Sequence, residues 1–232
     1  MELTPWANPE DGSEVLSRRT AQAMIVGRLR IEILSGALPP GSRLLQAKLA
    51  ERMRTSTTPV RAAMAELAAE GLADVDPHRG VIVHEPTEPE LLEIYEMRSL
   101  LDPILIEKTV ANITEPEVER ADGLCDRLDG LTEPGSWVVL NSQFHAHLDD
   151  AARSPLLAST VRNLRNRSSI YIAASLRESP DRMVAANAEH RAMVEACRAA
   201  DVAAALEPTL HHIEATVELV TLYLRRLESS TA

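Results

Sequence analysis

Only one short stretch of the chain, residues 72–84, has the pattern of β-strands, and most of the remainder carries apolar residues at helical spacing. Within it, the apolar runs 72–75 and 81–84 are joined by the polar turn residues 76–80. Three helical patterns precede this hairpin: residues 15–34, residues 45–53, and a third from 56 or 58 to 70. This order predicts a small N-terminal domain of three helices and a two-stranded wing, a winged helix-turn-helix.

The C-terminal part of the chain is predicted to be entirely helical. Six segments have helical periodicity: residues 88–112, 115–131, 136–152, 155–177, 183–200 and 201–228. Thr114 and Asp201 precede two of them as N-caps. Aromatic residues make up only 3% of the chain, which favours helices packed through small and branched aliphatic side chains. We therefore predict a mainly α protein in which an antiparallel bundle of six to seven helices follows the winged helix.

The predicted domain organisation has four parts. Residues 1–13 contain Pro5, Pro9 and Gly12 and are expected to be a disordered lead-in. The remaining boundaries place the winged helix-turn-helix at 14–85, a linker at 86–89 and the helical domain at 90–228.

Charge is divided unevenly between these parts, although the whole chain carries −11. Residues 14–85 contain 10 lysines and arginines against 8 aspartates and glutamates, a net +2, whereas residues 86–232 contain 14 against 24, a net −10. Because the acidic part would repel phosphates, any nucleic-acid surface is expected in the N-terminal domain.

The cysteines and the hydropathy of the sequence indicate where in the cell the protein is expected. Cys125 and Cys197 lie far apart in the sequence, as expected of buried thiols in a reducing compartment. No apolar run approaches the roughly 20 residues of a membrane helix, and the first 12 residues have no hydrophobic signal core. We expect a cytoplasmic protein with no membrane partner.

The start of the third helix has the residue types of a DNA-recognition helix. Its polar residues 55–58 and Arg61 can contact phosphates or base edges, while Val60 and Leu67 lie on an apolar face behind them. Arg79-Gly80 at the wing tip suits a minor-groove or backbone contact. Spacing alone leaves open a small helical domain with a hairpin and no DNA role.

The same region resembles the GntR family of winged-helix regulators. The matching stretches are LSGALPPGSRL at 34–44, Leu49-Ala50-Glu51, STTPVR at 56–61, Glu70-Gly71-Leu72 and Arg79-Gly80-Val81. The resemblance implies double-stranded operator DNA as partner and the following residues at the DNA: Arg43, Ser56, Thr57, Thr58, Arg61, Arg79 and Gly80.

Three positions depart from the family pattern. Thr57 and Ala47 stand where the family often has Arg, and Arg54 replaces a common Gly in the turn before the third helix. An Arg–guanine pair contributes about 1–3 kcal/mol of base discrimination, so the usual family operator is not expected here. Arg52 or Arg54 is a candidate for supplying the missing charge.

A second constellation lies in the helical part. Asn141 and His145 are four residues apart and share a helix face, while His190 and His212 belong to two later helices. Three imidazoles and one oxygen from three helices can form a metal site inside a bundle. Their long separations leave open an alternative in which these histidines form only local hydrogen bonds.

This part is similar to the FCD ligand-binding domain of FadR-like members of the GntR family. The matches are residues 95–103 (YEMRSLLDP), residues 141–148 (NSQFHAHL), residues 189–193 (EHRAM), Asp201, and His212-Ile213. The resemblance implies a divalent metal ion, zinc, nickel or similar, held by four residues: Asn141, His145, His190 and His212. His211 competes for the last position, and His147 falls off the shared face and is expected in solvent.

The resemblance also gives Arg98 the role of binding a small carboxylate effector. The alternative is an intrahelical ion pair with Asp102. Three more arginines could meet an anion, and spacing does not decide which points inward: Arg162, Arg165 and Arg167.

Together these features predict a homodimeric transcription regulator, a repressor and not an enzyme, whose operator binding is modulated by a small organic acid at a metal-containing pocket. Two rivals remain. A metal-dependent enzyme would need a general base, and Asp149 and Asp150 have no support for that role. A purely structural metal would leave the effector to bind elsewhere.

Overall fold

The computed structural model describes residues 9–231 of the 232-residue chain, and side chains from residue 21 onward except at positions 228, 230 and 231. The N-terminal part comprises three helices and a hairpin: α1 (Pro9–Leu34), α2 (Gln46–Arg52), α3 (Thr57–Ala69), β1 (Ala73–Asp76) and β2 (Gly80–Val83). Their order confirms the predicted winged helix-turn-helix.

The first helix begins earlier than predicted. Residues 9–13 are helical, which corrects that part of the predicted disordered lead-in, and residues 1–8 lie outside the described residues. Pro9 is the first residue of the helix, a position that proline favours.

The wing is an antiparallel pair in which Ala73 faces Val83 and Asp76 faces Gly80. Its turn is held by Asp76, whose Oδ1 accepts the N–H groups of His78 and Arg79 at 2.7 Å each. These backbone hydrogen bonds lower the pKa of Asp76. Gly80 has φ +78°, a left-handed conformation that glycine adopts without strain.

Seven further helices follow in the part of the chain that the structure describes, which confirms the predicted helical bundle. They are α4 (Glu88–Asn112), α5 (Glu115–Asp129), α6 (Pro134–Ala151), α7 (Pro155–Ser169), α8 (Ile172–Glu178), α9 (Asp181–Arg198) and α10 (Val202–Thr231). None of the described helices is both long and apolar enough to cross a bilayer.

Helix α4 begins inside the predicted linker 86–89. The Thr87 hydroxyl accepts the N–H of Glu90 at 3.3 Å, and Pro89 lies in the first turn, so the sequence caps the helix at this point. Two other caps are confirmed: Thr114 forms a capping box with Glu117, and the Asp201 carboxylate accepts the N–H of Ala204 at 3.0 Å.

The segment 155–177, predicted as one helix, is two. The break falls at Ile170 and Tyr171, between α7 and α8. Just before it, the hydroxyls of Ser168 and Ser169 both donate to the carbonyl oxygen of Arg165, at 3.0 and 2.6 Å. Side-chain bonds of this kind bend helices. Because they involve polar residues, the spacing of apolar residues does not reveal the break.

Three helices of the bundle line one common interior. Helix α10 packs against α4 and α9, and α5 packs against α6 and α9. Phe144 on α6 and His190 on α9 are both fully buried, and their ring centroids lie 4.5 Å apart. The interior faces of α6, α9 and α10 therefore surround a common space beside α4.

Candidate metal centre and DNA-facing surface

Three histidines meet in that interior space. His145 on α6, His190 on α9 and His212 on α10 are all buried, and each offers a ring nitrogen within 4.8 Å of the others. Their ring centroids are 4.9–5.2 Å apart. The structure thus brings together three of the four predicted metal ligands, although 67 residues of chain separate the first from the last.

The polar atoms around this triad include several without protein partners. Both ring nitrogens of His190 and the Oδ1 atom of Asn141 are buried and make no hydrogen bond with a described residue. An unpaired buried polar group costs about 1–3 kcal/mol. A divalent metal ion would satisfy imidazole nitrogens and an amide oxygen together, so the residues present fit such an ion.

His212 is oriented by a carboxylate. Its Nδ1 donates to Glu189 Oε2 at 2.6 Å, and Glu189 is held in turn by two bonds of 2.8 Å from Arg182. Burial raises the pKa of Glu189, but the hydrogen bonds from His212 and Arg182 outweigh it and the net pKa is lowered. With Nδ1 donating, Nε2 of His212 is left with a lone pair, as metal-ligating histidines require.

His211 differs from its neighbour in exposure. Its side chain is 67% exposed, against 9% for His212. The geometry therefore favours His212 over His211 as the candidate ligand. His147, expected in solvent, is half-buried, and its Nε2 lies 2.8 Å from the Glu117 carbonyl oxygen, away from the triad.

Burial favours the uncharged form of each histidine in the triad. Burial lowers the pKa of His145 well below its usual range, and the charge of Arg165 lowers it further. Burial and the neighbouring His212 lower the pKa of His190 in the same way. Burial also lowers the pKa of His212, against the opposing effect of Glu189. Neutral imidazole is the form that binds a metal.

The buried Arg98 and the largely buried Arg165, whose side chain is 11% exposed, lie beside the triad. Arg98 donates to Asp102 Oδ2 from Nε at 3.1 Å and Nη2 at 3.0 Å, so the predicted intrahelical pair exists. Arg165 Nη1 donates to Asp149 Oδ2 at 2.7 Å, and its Nη2 lies 3.5 Å from Asp102 Oδ1. Arg165 is the member of the predicted trio that points inward.

Two small adjoining cavities of about 30 and 20 Å³ connect these groups, each with room for about one water molecule, so a larger ligand must displace side chains to enter. Both are lined by the same four side chains: Arg98, His145, Arg165 and His212. Asn141 lines the second cavity and Asp149 the first. The arrangement offers an anion two guanidinium groups next to a candidate metal position.

The predicted DNA residues form an exposed surface on the winged helix. Ser56, Thr57, Thr58 and Arg61 are all exposed at the start of α3, above the buried Val60. Arg43 Nε donates to the carbonyl oxygen of Arg79 at 3.0 Å, which places two arginines side by side at the wing next to Gly80. Sequence reasoning missed Gln46, whose side chain bonds the Thr57 carbonyl oxygen at 3.0 Å.

The turn before α3 explains the family's usual glycine. Arg54 has φ +52°, in the left-handed region that strains a residue with a side chain. Its side chain is exposed, whereas Arg52 Nη2 pairs with Glu32 at 2.6 Å. Of the two candidates for a compensating charge, the paired one is the less available to DNA.

Comparison with known proteins agrees with this architecture. The profile described as "FCD domain" matches residues 93–215, and the profile "Bacterial regulatory proteins, gntR family" matches residues 21–83. The chain is a member of the GntR family with an FCD domain. It is 29% identical over 206 residues to a probable D-xylose utilization operon transcriptional repressor of Paenarthrobacter nicotinovorans, covering 88% of this chain and 90% of that protein.

Two further relatives support the assignment. The gluconate operon transcriptional repressor of Bacillus subtilis is 32% identical over 104 residues, 45% of this chain and 42% of that protein. The structure titled E. coli McbR/YncC has a TM-score of 0.75 at 22% identity, covering 88% of this chain and 98% of that one, and so shares the fold. This GntR protein is a DNA-binding transcriptional regulator, and the predicted enzymatic alternative is set aside because these relatives are regulators.

Proposed function

We propose that this GntR regulator represses transcription as a homodimer on operator DNA, in the bacterial cytoplasm, and that a small organic acid bound beside a divalent metal weakens this binding. The observation that carries the sensor is that His145, His190 and His212 lie in one interior with the guanidinium groups of two arginines, one buried and one largely buried. GntR regulators bind operator DNA, and two relatives bear the name repressor.

The DNA contact is proposed on the exposed surface formed by the start of α3 and the wing. Hydroxyl groups at Ser56, Thr57 and Thr58 suit phosphate or base-edge contacts, and Arg61 suits a phosphate. Arg43 and Arg79 would reach the backbone or minor groove, where Gly80 allows close approach. Two copies on successive half-sites would read a near-palindromic operator.

In the sensor, Asn141, His145, His190 and His212 are the residues proposed to hold the metal. A bound divalent ion would keep positions open for an oxygen of the effector. Arg98 and Arg165 would bind the same carboxylate through paired N–H donors, and burial of the cavity would strengthen both contacts. The named relatives act on sugar-related operons, so D-gluconate belongs in the first panel of acids.

The test is a thermal-shift screen of zinc-loaded and chelated protein against small carboxylic acids. An acid present at 100 times its Kd should add about 2.7 kcal/mol, a rise of roughly 5–11 °C for a domain of this size. The rise should disappear in His212→Ala and persist in His211→Ala, the adjacent exposed histidine. An acid that passes is then added to protein bound to DNA flanking its own gene.

Each outcome separates the alternatives. A shift that requires both metal and His212 supports the sensor. If metal raises the stability but the acid response survives chelation, the metal is structural and the effector binds independently of it. The observation in favour of this alternative is that Arg98 and Arg165 already have carboxylate partners, Asp102 and Asp149. A screen with no response to metal or acid refutes the proposed sensor and leaves DNA binding unaffected.

A further inference from the structure

Three consecutive residues of α7 connect the candidate effector cavity to the DNA-binding domain. Arg165 faces the cavity, where it pairs with Asp149 and approaches Asp102. Its side chain is 11% exposed, and its Nε is buried without a hydrogen-bond partner among the described residues. Arg165 therefore has an N–H donor, at Nε, that is unpaired among the described residues and lies beside the cavity.

The next residue reaches the winged helix. Asn166 Nδ2 donates to the carbonyl oxygen of Glu70 at 3.0 Å, across 96 positions of sequence. Glu70 is the C-cap residue directly after α3, the proposed recognition helix. The last carbonyl groups of a helix have no partner within it, and here a side chain from the other domain supplies one.

Arg167 extends the connection to the base of the wing. Its Nη1 donates to Glu90 Oε1 at 3.0 Å and contacts the His84 ring at 3.3 Å, and its Nη2 lies 3.7 Å from Asp74 Oδ1. His84 is buried and contacts Asp74 at 2.6 Å and Glu90 at 3.1 Å. We call these four residues, Asp74, His84, Glu90 and Arg167, the junction cluster.

Gly71 makes the contact between α7 and the winged helix close. It has φ +78°, and a Cβ placed on it would lie 2.9 Å from Arg167 Cγ and 3.1 Å from the Asn163 carbonyl oxygen. Such distances leave no room for a side chain. The backbone that follows the recognition helix therefore packs directly on α7. A displacement of α7 would shift this backbone, because the contact leaves no free space.

From this geometry we propose that α7 transmits the state of the effector cavity to the DNA-binding surface, with Arg165 as the input and Asn166 and the junction cluster as the output. The inference rests on the proposed sensor function. An effector carboxylate that engages Arg165 competes with Asp149 and Asp102 for its guanidinium. The resulting change in the position of α7 alters the contacts that hold the end of α3 and the wing.

The experiment uses the full-length protein after chelation, with no acid present, so that it does not depend on the identity of the effector. Hydrogen–deuterium exchange is measured for Arg165→Met, and the readout is the peptide spanning residues 66–76. We expect exchange there to be at least about 5-fold faster, the lower end of typical coupling between sites. Exchange in α2, which makes none of the contacts with α7 described above, should change less than 2-fold.

Two comparisons distinguish coupling from a general loss of stability. Arg162→Met is the matched control, since Arg162 lies on the same helix and its main partner is Asp150 at 2.7 Å, whereas its Nε lies 4.0 Å from Asp149, farther than the 2.7 Å bond from Arg165. The second is a double-mutant cycle: in an Asn166→Ala, Arg167→Met background, Arg165→Met should add less than 2-fold at residues 66–76. A purely structural role of Arg165 would accelerate exchange equally in both backgrounds.

If Arg165→Met does not fold, Arg165→Lys and Asp149→Asn take its place, because each alters the cavity pairing while keeping one charged partner. Unchanged exchange at residues 66–76, or an equal change in the double-mutant background, overturns the proposal. A negative thermal-shift screen would refute the sensor while leaving this result intact, so the two failures are distinguishable.

Discussion

Replacing Asn141 by Asp should lower the stability of the metal-free protein and increase the additional stability that a bound metal supplies. Asn141 is buried, and its Oδ1 has no hydrogen-bond partner among the described residues. A carboxylate at this position would be buried without a partner when the metal is absent, at a cost of about 1–3 kcal/mol or more. With a metal bound, the added negative charge would strengthen coordination.

The size of the second effect follows from linkage. If the substitution raises zinc affinity tenfold, protein held at 100 times the original Kd is then at 1,000 times the new one. The stabilisation by metal rises from about 2.7 to about 4.1 kcal/mol. Urea unfolding of chelated and zinc-loaded protein, with zinc affinity measured by competition against a chromophoric chelator, gives both numbers.

Asn141→Leu is the matched control, because it is close in size and removes the oxygen donor without adding charge. Zinc affinity should follow the order Asp, Asn, Leu, and the stability of the metal-free protein should follow the reverse order. If Asn141→Asp destabilised both forms by the same amount, Asn141 would not be a ligand and the reasoning would fail.

Three other predictions concern local features. Arg54→Gly should raise the free energy of unfolding by up to about 1 kcal/mol, because it removes the strain of φ +52°, whereas Arg52→Gly should lower it; a lower urea midpoint for Arg54→Gly would contradict this. Burial raises the pKa of the Cys125 thiol to about 12 and that of Cys197 to about 11, so neither should react with a thiol reagent at pH 8 until the protein is unfolded; labelling of the native protein would count against it. Hydrogen bonds from the backbone N–H of Thr114 and from Arg153 lower the pKa of Glu117 to about 2, so the stabilisation by its carboxylate is present above pH 4.5 and is lost as the pH falls from 4.5 towards 2. Glu117→Gln should therefore lower the free energy of unfolding by about 1 kcal/mol at pH 7, measured by urea unfolding. If the variant were still less stable than the original protein by the same amount at pH 2, this cause would be refuted.

The secondary structure could be predicted well where a local signal exists. Apolar periodicity and caps located most helices, and the apolar runs around residues 76–80 located the wing. Errors arose where the signal was absent or was misread. Pro9 favours disorder in the sequence pattern, but proline also begins helices, and no proline or glycine lies at the break after Ser169.

Spacing alone left the candidate metal set as one of two alternatives, and the family resemblance is what favoured it. The spacing of His145, His190 and His212 matches no short metal motif, and helix periodicity cannot distinguish His211 from His212 as neighbours. The crossing of α6, α9 and α10 decides which ring nitrogens meet, and the carboxylate of Glu189 decides how one of them is turned.

By itself, the sequence determined the mainly helical class, the order of the winged helix and the bundle, and the polar residues at the start of α3, because each depends on neighbours within a few positions. Tertiary structure alone decided that Arg165 turns inward while Asn166 and Arg167 reach the winged helix. The physical reason is that the direction of a helix face has meaning only relative to what packs against it. Adjacent residues of α7 meet partners 16 to 96 positions away, and no local pattern encodes such distances.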